Sequence, residues 1–409
     1  MGKGGAVFAV IVMMSGSVWA ADVSELEERV CRLEQCMNAG PNLLDGLKLC
    51  AGATMVIQGT SNANGSGINA AQNSYKGDDA TDASYSVDIE LSKVFAENGA
   101  RAFLYLTTGE GAGVTDTIEV FSNVNHDADD SAALSVAELW WQQDIAGAAR
   151  ITIGKIDPTK YIDTNAYAND ECGQFLGSMF RNSPTVEFSG NAFGVRAAWA
   201  ATSWLEIETV YADGDADFRQ IGDAPWLGLQ ASCKATVGER PGTYRVLYWY
   251  NDRPHTKWND PSKIKESGNG FGISADQEIS AHIGIFARAG WQDQGSFIDT
   301  AGDGITVEDF SLAAAYSAGV QILGTFWGRE NDVCGFGYGI IKPSDDYKNS
   351  TAGLKGKTEG HLEAYYKFVC NQNLALTPDV QVITNPFGGD ASNGDDPIYV
   401  AGMRAQISF

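Results

Sequence analysis

The sequence has few basic residues and, after its first twenty residues, no long apolar run. Its 28 lysines and arginines are outnumbered by 52 aspartates and glutamates, which gives a formal net charge of −24. Nucleic-acid binding requires a basic surface, so we expect no nucleic-acid partner. Beyond residue 20 no stretch approaches the roughly 18 uninterrupted apolar residues of a transmembrane helix, which excludes a helical membrane protein.

The sequence also lacks the common signatures of catalysis and metal binding. It contains no CxxC, no Cys/His zinc spacing, no GxSxG, no HExxH and no glycine-rich phosphate loop. The seven cysteines are an odd number, so at least one has no partner within the chain. We therefore predict a protein without enzymatic activity, cofactor or metal site.

Residues 1–20 have the features of a secretory signal peptide. Lys3 provides a positive start, residues 6–14 are apolar, and Val18-Trp19-Ala20 has the small-residue pattern of a cleavage site. The mature chain is expected to begin near Ala21. On this signal alone, a soluble secreted protein is an open alternative.

Residues 21–40 are predicted to form a short amphipathic helix that ends at Gly40-Pro41. Its apolar residues are spaced 3, 4, 3 and 4 apart, as in a heptad seam: Val23, Leu26, Val30, Leu33 and Met37. One interpretation is a periplasmic coiled coil that joins barrels into an oligomer, with a trimer as the expected state. The alternative is a helix that packs on or inside its own barrel.

Residues 41–409 show the alternation of a transmembrane β-barrel. The last twelve residues, IYVAGMRAQISF, place Tyr399, Met403, Ile407 and Phe409 on one apolar face and Arg404 on the opposite polar face. An apolar outer band and a polar inner face define the strands of outer-membrane barrels. The terminal segment is therefore predicted to be the closing strand.

Connection lengths alternate along this region and predict sixteen strands. Seven short turns are expected at 97–100, 145–148, 200–203, 238–242, 278–281, 317–319 and 370–373. Eight long loops are expected at 59–83, 108–133, 157–190, 212–224, 251–268, 292–308, 329–358 and 384–396. Short turns belong on the periplasmic side and long loops outside. Acidic runs in these loops, such as 127–130 and 213–217, are interpreted as solvated charge, with divalent-cation bridging to anionic lipid as the alternative.

The faces opposite the apolar band identify residues that would line a pore. They mix arginines, carboxylates and aromatic rings: Glu138, Trp140, Arg196, Glu206, Glu208, Arg245, Trp249, Arg288, Trp327, Glu363, Lys367 and Arg404. A phosphate pore would show a basic ring and a cation pore an acidic ring. The mixture suits neutral sugars, which have many hydroxyls and apolar C–H faces. Hydration of a general diffusion pore explains it equally well.

Two segments resemble the carbohydrate-selective porin family of the OprB type. Residues 151–180, ITIGKIDPTKYIDTNAYANDECGQFLGSMF, resemble a strand of that family followed by an Asn/Ala-rich loop and a Gln-Phe-Leu element. Residues 359–386 resemble its penultimate hairpin, with Glu363 and Tyr366 preceding Leu-Thr-Pro-Asp-x-Gln-x-Ile-x-Asn-Pro. The closing GMRAQISF is also similar. The resemblance is specific over about 70 residues and loose elsewhere.

The resemblance implies a sixteen-stranded barrel that passes monosaccharides and small oligosaccharides. We expect loop 157–190 to fold into the lumen and to form the constriction with Arg150, Lys155, Arg196 and Arg245. Asp379 and Gln381 are candidate partners of sugar hydroxyls, with a structural role as the alternative.

The sequence thus predicts an all-β, transmembrane antiparallel β-barrel of about 16 strands, preceded by a short periplasmic α-helix, in the outer membrane. Its expected partners are mono- and oligosaccharides, outer-membrane lipid and two further copies in a homo-trimer. A general diffusion porin, a non-conducting structural protein of the outer membrane and an outer-membrane enzyme are the alternatives.

Overall fold

The computed structural model describes residues 46–65, 78–95, 99–128, 132–298 and 312–409. The predicted signal peptide (1–20) and the predicted helix (21–40), with its seam of Val23, Leu26, Val30, Leu33 and Met37, lie outside the described residues. No helix among the described residues is both long enough and apolar enough to cross a membrane.

Sixteen long strands and one three-residue strand form a single sheet in the described part of the chain. They are β1 (Leu47–Ser61), β2 (Thr81–Phe95), β3 (Ala100–Glu110), β4 (Ser135–Ile145), β5 (Ala149–Ile156), β6 (Ala192–Ala200), β7 (Leu205–Asp213), β8 (Pro225–Val237), β9 (Arg240–Lys257), β10 (Glu266–Ser280), β11 (Ile283–Gln292), β12 (Ser296–Ile298), β13 (Leu312–Leu323), β14 (Val333–Pro343), β15 (Glu359–Asn371), β16 (Leu374–Thr384) and β17 (Ile398–Ser408). Each long strand pairs with the next long strand along the chain. The short strand β12 pairs antiparallel with the last three residues of β9.

The sheet closes on itself through β1 and β17. These strands pair antiparallel from Gly52 opposite Ser408 to Ser61 opposite Tyr399. Closure leaves no open edge along the long strands, which is how a β-structure satisfies its backbone hydrogen bonds in a bilayer. The predicted closing strand and the sixteen-stranded all-β barrel are confirmed.

The outer surface of the barrel is apolar, as the alternation predicts. In β17, Tyr399 is 50% exposed and Met403 is 44% exposed, whereas Arg404 on the inner face is 1% exposed. The same pattern appears in β9, where Val246 and Tyr248 face outward. These side chains provide the apolar band that contacts lipid in this class of barrel.

Most short turns occur where the sequence predicts them, but one does not. Residues 317–319, predicted to be a turn, lie within β13. The glycine of this segment, Gly319, leaves room for the ring of Phe286 to pack against the strand, since a Cβ there would lie 2.4 Å from that ring. The turn instead spans residues 324–332, and residues 333–343, predicted to be loop, form β14. Trp327 therefore ends a short 3-10 helix in this turn, is 42% exposed, and does not line the lumen as predicted.

Two connections fold into the barrel and supply its core. They are the long inner loop (residues 157–191) and the short inner loop (the described residues 111–128), which follow β5 and β3. The long inner loop contributes Phe175, Leu176, Met179 and Phe180, all at most 2% exposed. Their apolar side chains pack against inward residues of the barrel wall, including Phe286, Ile341 and Tyr365. The core therefore lies between loop and wall, inside the lumen.

A glycine stripe on β14 allows the long inner loop to approach the wall closely. Gly337 and Gly339 face inward, and a Cβ on Gly339 would lie 2.0 Å from Cε of Met179. A Cβ on Gly337 would lie 2.8 Å from the ring of Phe180. The absence of side chains at these positions makes room for the loop.

Candidate functional site

Arg288 on β11 joins an early and a late residue of the long inner loop to the wall. Its guanidinium lies 3.2 Å from Oδ1 of Asp163 and donates to the backbone carbonyls of Asp163 (3.0 Å) and Phe180 (2.7 Å). Both charged side chains are 1% exposed. Charge-assisted hydrogen bonds of this kind are about twice as strong as neutral ones. Arg288 faces inward as predicted, but it binds protein rather than lining open space.

Arg404 and Glu363 hold the middle of the same loop. Arg404 on β17 donates to the carbonyls of Glu171 (2.6 Å) and Gln174 (2.8 Å). Glu363 on β15 accepts hydrogen bonds from the backbone N–H groups of Leu176 (2.6 Å) and Gly177 (2.9 Å). These inward side chains therefore fix the loop to β15 and β17.

Asp379 and Gln381, the predicted partners of sugar hydroxyls, are covered by the short inner loop. Gln381 donates to the carbonyl of Val124 at 2.9 Å and to Asp379 at 2.8 Å. Gln58 on β1 donates to the same carbonyl at 3.1 Å. Asp379 is 2% exposed and Gln381 is 1% exposed, so neither faces open lumen. The structural role left open by the sequence is the one these contacts support.

The open lumen lies between the inner loops and the wall formed by β2, β3 and β4. A cavity of about 660 Å³, here called the inner chamber, occupies this space. Its wall side is lined by Asp88, Glu90, Tyr105 and Thr107, and its loop side includes Asp157, Lys160, Asp170, Glu171 and Cys172. Tyr105 and Thr107 donate hydrogen bonds to Asp88 at 2.7 and 2.9 Å.

A second cavity of about 460 Å³, here called the outer vestibule, is lined by residues of both inner loops. Phe121, Asn123 and His126 come from the short inner loop, and Ser178, Asn182 and Phe188 from the long one. Thr159 and Arg181 line both the vestibule and the chamber. These two residues mark the junction of the two cavities.

A dense polar network fixes Arg181 at this junction. Its Nε donates to Glu171 at 2.6 Å, and its Nη1 donates to Thr159 at 2.9 Å and to Asn182 at 2.7 Å. Asp157 lies 3.7 Å away. Burial alone would raise the pKa of Glu171, but attraction to Arg181 and then to His126 outweighs it and holds that pKa below its usual value. The junction therefore carries an ionised Arg–Glu pair.

Lys160 provides a second cation in the inner chamber. Its Nζ lies 2.5 Å from Glu138 on β4 and 4.7 Å from the ring centroid of Tyr105. Glu138, a predicted lining residue, is 1% exposed. Trp140, also predicted, faces inward and stacks on Phe103 with 4.9 Å between ring centroids.

The other predicted arginines lie away from the chamber. Arg196 pairs with Glu208, and its guanidinium lies 4.5 Å from the ring centroid of Tyr161. Arg245 pairs with Asp276 at 2.5 Å. These inward pairs pack beneath the start of the long inner loop. Trp249 is also inward but fully buried, in a core cluster that includes Ile162, Val186 and Trp226.

Arg150 and Lys155 do not form the predicted constriction. Arg150 pairs with Asp144 at 3.2 Å and lines a small pocket with Glu206 beside the 146–148 turn. Lys155 lies on the outer face, where it is paired with Leu139, and its Nζ is 5.7 Å from the ring centroid of Phe218. The two residues are five positions apart in one strand, so they point to opposite faces.

Lys367 is the remaining predicted lining residue. It lines a cavity of about 510 Å³ beside the 372–373 turn, together with Gln406 and Ser408. Its Nζ also approaches the long inner loop, since a Cβ on Gly173 would lie 3.5 Å away.

The face assignment did not select Arg181, Lys160 or Glu171, which line the chamber. They lie on a loop, where strand alternation gives no orientation. One signal was present: the Gln-Phe-Leu-Gly-Ser-Met-Phe run (174–180) is too apolar for a solvated external loop. Charged residues flanking such a run are candidates for the exposed side of an inward-folded loop.

A closed sixteen-stranded barrel with an apolar exterior and a polar lumen narrowed by inward loops defines an outer-membrane porin. It is the fold of a channel rather than of an enzyme. Residues 76–409 match the family described as "Carbohydrate-selective porin, OprB family". The chain belongs to this family, which confirms the resemblance seen in the sequence and the outer-membrane location.

Three relatives are similar to this chain in sequence. An uncharacterized protein of Aquifex aeolicus is 26% identical over 64% of this chain and 65% of its own length. An uncharacterized protein of Synechocystis is 22% identical over 73% of this chain and 58% of its own length. Porin B of Pseudomonas aeruginosa is 22% identical over 67% of this chain and 68% of its own length. The chain thus spans less than two thirds of the first two relatives.

Solved structures share the fold. The high-pH structure of Pseudomonas putida OprB superposes with a TM-score of 0.74 at 18% identity, covering 92% of this chain and 97% of that one. The low-pH structure of the same protein gives a TM-score of 0.53 at 15% identity, with the same coverage. The outer membrane channel DcaP of Acinetobacter baumannii gives 0.52 at 12% identity, covering 89% and 97%.

Proposed function

We propose that this porin allows passive, selective diffusion of mono- and oligosaccharides across the outer membrane, and that selection occurs where the outer vestibule meets the inner chamber. The observation that carries the proposal is the Arg181–Glu171–Thr159 network, whose members Thr159 and Arg181 line both cavities. Family membership supports the substrate class.

The chemistry of the chamber favours a neutral, hydroxyl-rich solute. Lys160 and Arg181 provide donors, while Asp88, Glu90, Asp157, Asp170 and Glu171 provide acceptors. The carboxylates outnumber the cations five to two, but the chamber offers groups of both kinds. Sugar hydroxyls both donate and accept, and can exchange hydrogen bonds with each group. The ring of Tyr105 offers an apolar surface to C–H groups. Several weak contacts bind the sugar and still release it, as conduction requires.

The test is single-channel conductance in a planar bilayer, titrated with glucose, sucrose and maltooligosaccharides. Saturable block of the ion current is expected for the native protein. Replacing Arg181 by alanine removes the cationic donor that the proposal assigns to the sugar. A hydrogen bond from a charged donor is worth about 1.5–3 kcal/mol, so block by the sugar should weaken about tenfold or more. Arg150→Ala, at the other end of the lumen, is the matched control and should leave block unchanged.

Each other result has a defined meaning. Open channels without sugar block would identify a general diffusion porin. A barrel that inserts but does not conduct would identify a structural protein. Equal block in native protein and Arg181→Ala, with both folded by circular dichroism, would place the sugar site elsewhere.

We also propose that residues 21–40 assemble the porin into a homo-trimer through the heptad seam, in contact with outer-membrane lipid. The support is the 3, 4, 3, 4 spacing of apolar residues in the sequence. Native mass spectrometry of the full mature chain in detergent should give a trimer, and Leu26→Glu together with Leu33→Glu should give a monomer. A trimer that survives both substitutions would assign assembly to the barrel.

A further inference from the structure

We infer that Asp213, Asp215 and Asp217 form a calcium site at the outer end of β7, outside the pore. Each residue has a carboxylate oxygen that lies within 4.8 Å of those of the other two. Ca²⁺ takes six to eight oxygen ligands in flexible geometry, and carboxylates are its usual protein ligands. The site is independent of the residues proposed above to select sugars.

Asp213 provides a separate reason to expect a cation. It is 0% exposed, although it lies beside two exposed carboxylates. Its Oδ2 accepts the backbone N–H of Phe218 at 3.2 Å, but its Oδ1 has no hydrogen-bond partner. A buried carboxylate oxygen without a partner is costly, and a bound cation would satisfy it.

Among the described residues, these carboxylates have no ion-pair partner within 4 Å, although the side chain of Arg253 packs beside Gly214. Across the described ranges, none of the ion pairs includes Asp213, Asp215 or Asp217. Asp223, in the same loop, adds a further negative charge close enough to act on Asp213. Three converging carboxylates repel one another, and a bound divalent ion would replace that repulsion with attraction.

The spacing and backbone of the loop match what Ca²⁺ loops require. Asp213, Asp215 and Asp217 occupy the first, third and fifth positions, which are ligand positions in calcium loops. Phe218, in the sixth position, has a φ of +61°, the left-handed turn for which such loops use glycine. Ala224 occupies the twelfth position, so backbone carbonyls, Asp223 or water must complete the shell. Mg²⁺, which demands near-ideal octahedral geometry, fits this loop less well.

The location explains what the ion would do. The hydroxyl of Tyr211, two residues before Asp213 on the outward face of β7, donates to the carbonyl of Ile221. Phe218 lies near Lys155 on the outer surface. Residues 214–224 therefore fold back over the outer edge of the barrel, and Ca²⁺ would tie that loop to the end of β7.

The test is calcium titration of the purified, chelator-treated porin in detergent, by calorimetry and by thermal unfolding. One saturable site and a rise in unfolding temperature with Ca²⁺ are expected, and Mg²⁺ should bind more weakly. Asp215→Asn with Asp217→Asn, both at exposed positions, should weaken binding at least tenfold and abolish the temperature shift. The matched control is Asp345→Asn with Asp346→Asn, in the short helix Asp345–Ser350. It should change neither the affinity for Ca²⁺ nor the shift in unfolding temperature that Ca²⁺ causes.

Asp213→Asn distinguishes a metal site from a structural carboxylate. If Asp213 is a calcium ligand, this variant should unfold at a higher temperature than the native protein in chelator, because the uncompensated buried charge is gone, and should no longer respond to Ca²⁺. Absence of saturable binding by the native protein, or undiminished binding by the Asp215/Asp217 double variant, would overturn the proposal.

Discussion

Arg288 on β11 and Asp163 of the long inner loop form an ion pair inside the barrel, with both side chains 1% exposed and 3.2 Å between Nε and Oδ1. The same guanidinium donates to two carbonyls of the loop. A single buried guanidinium thus makes three contacts with the loop, in addition to those of Arg404 and Glu363. Its position, and with it the width of the lumen, depends on a residue that does not contact open solvent.

Replacing Arg288 by alanine should destabilise the porin and widen its lumen. Removing one partner of a buried pair leaves the other charge uncompensated, which costs about 3–5 kcal/mol. We expect a lower unfolding temperature and a higher single-channel conductance. Arg150→Ala removes an exposed pair, worth about 0–1 kcal/mol, and should change neither. Native-like conductance in Arg288→Ala would mean that the loop does not set the lumen width.

Filling the glycine stripe of β14 should displace the same loop by a different route. Leucine at Gly339 would occupy the space of the Met179 side chain, and overpacking of this kind typically costs about 1–3 kcal/mol. Single-channel conductance should change, while the barrel remains folded by circular dichroism. Gly222→Leu is the control, since a Cβ there meets nothing within 4 Å. Unaltered conductance in Gly339→Leu would show that the loop tolerates movement at this contact.

Asp127 should make ion selectivity depend on pH near neutrality. Burial raises its pKa to about 7, although Cys172 and Ser86 donate hydrogen bonds to the carboxylate. The group is neutral at pH 6 and ionised at pH 8, so permeability to cations relative to anions should rise across this interval. Reversal potentials in a salt gradient measure this permeability ratio. In Asp127→Asn the ratio should not change between pH 6 and pH 8.

The same shift has a consequence for stability with a definite sign. An unfolded aspartate titrates near a pKa of about 3.9, and the folded pKa is higher, so folding favours the protonated form. The contribution of Asp127 to the free energy of unfolding should therefore decline as pH rises from about 4 to 7 and then level off. If Asp127→Asn shows the same decline as the native protein over this range, another group is responsible.

Cys172 should act as a built-in reporter of the inner chamber. It is half-buried, it lines the chamber, and it is one of the free cysteines among the described residues. Burial raises its pKa well above the usual value, so a charged methanethiosulfonate should reduce conductance slowly at pH 7 and faster at higher pH. Cys172→Ser should be insensitive. Equal loss of current in that variant would assign the effect to another thiol.

Strand faces could be predicted from the sequence because their period is two and the barrel has only two environments. On this basis the sequence places Met403 of β17 on the outer face and Arg404 on the inner face, as in the structure. Glu363 and Arg288 likewise face inward as predicted. The error at 317–319 arose where small residues resembled a turn but served to admit the ring of Phe286. Lys155 was expected at the constriction together with Arg150, although the two residues have opposite parity in one strand.

The constriction could not be predicted in the same way. Arg181 and Lys160 lie on a loop, whose side chains follow no fixed period, and their partners Glu171 and Glu138 are brought near only by the folded chain. Asp213 and Asp127, interpreted as solvated loop charges, are 0% and 9% exposed. Burial of a loop residue depends on what the loop folds against.

The sequence by itself determined the closed β-barrel, its apolar exterior and its family, because these follow from alternation, connection length and local motifs. Only the tertiary structure decided which inward side chains line open space and which lie beneath the inner loops. The physical reason is that strand periodicity fixes the face of a residue, whereas exposure on that face depends on long-range contacts such as Arg288 with Asp163 and Glu363 with Leu176.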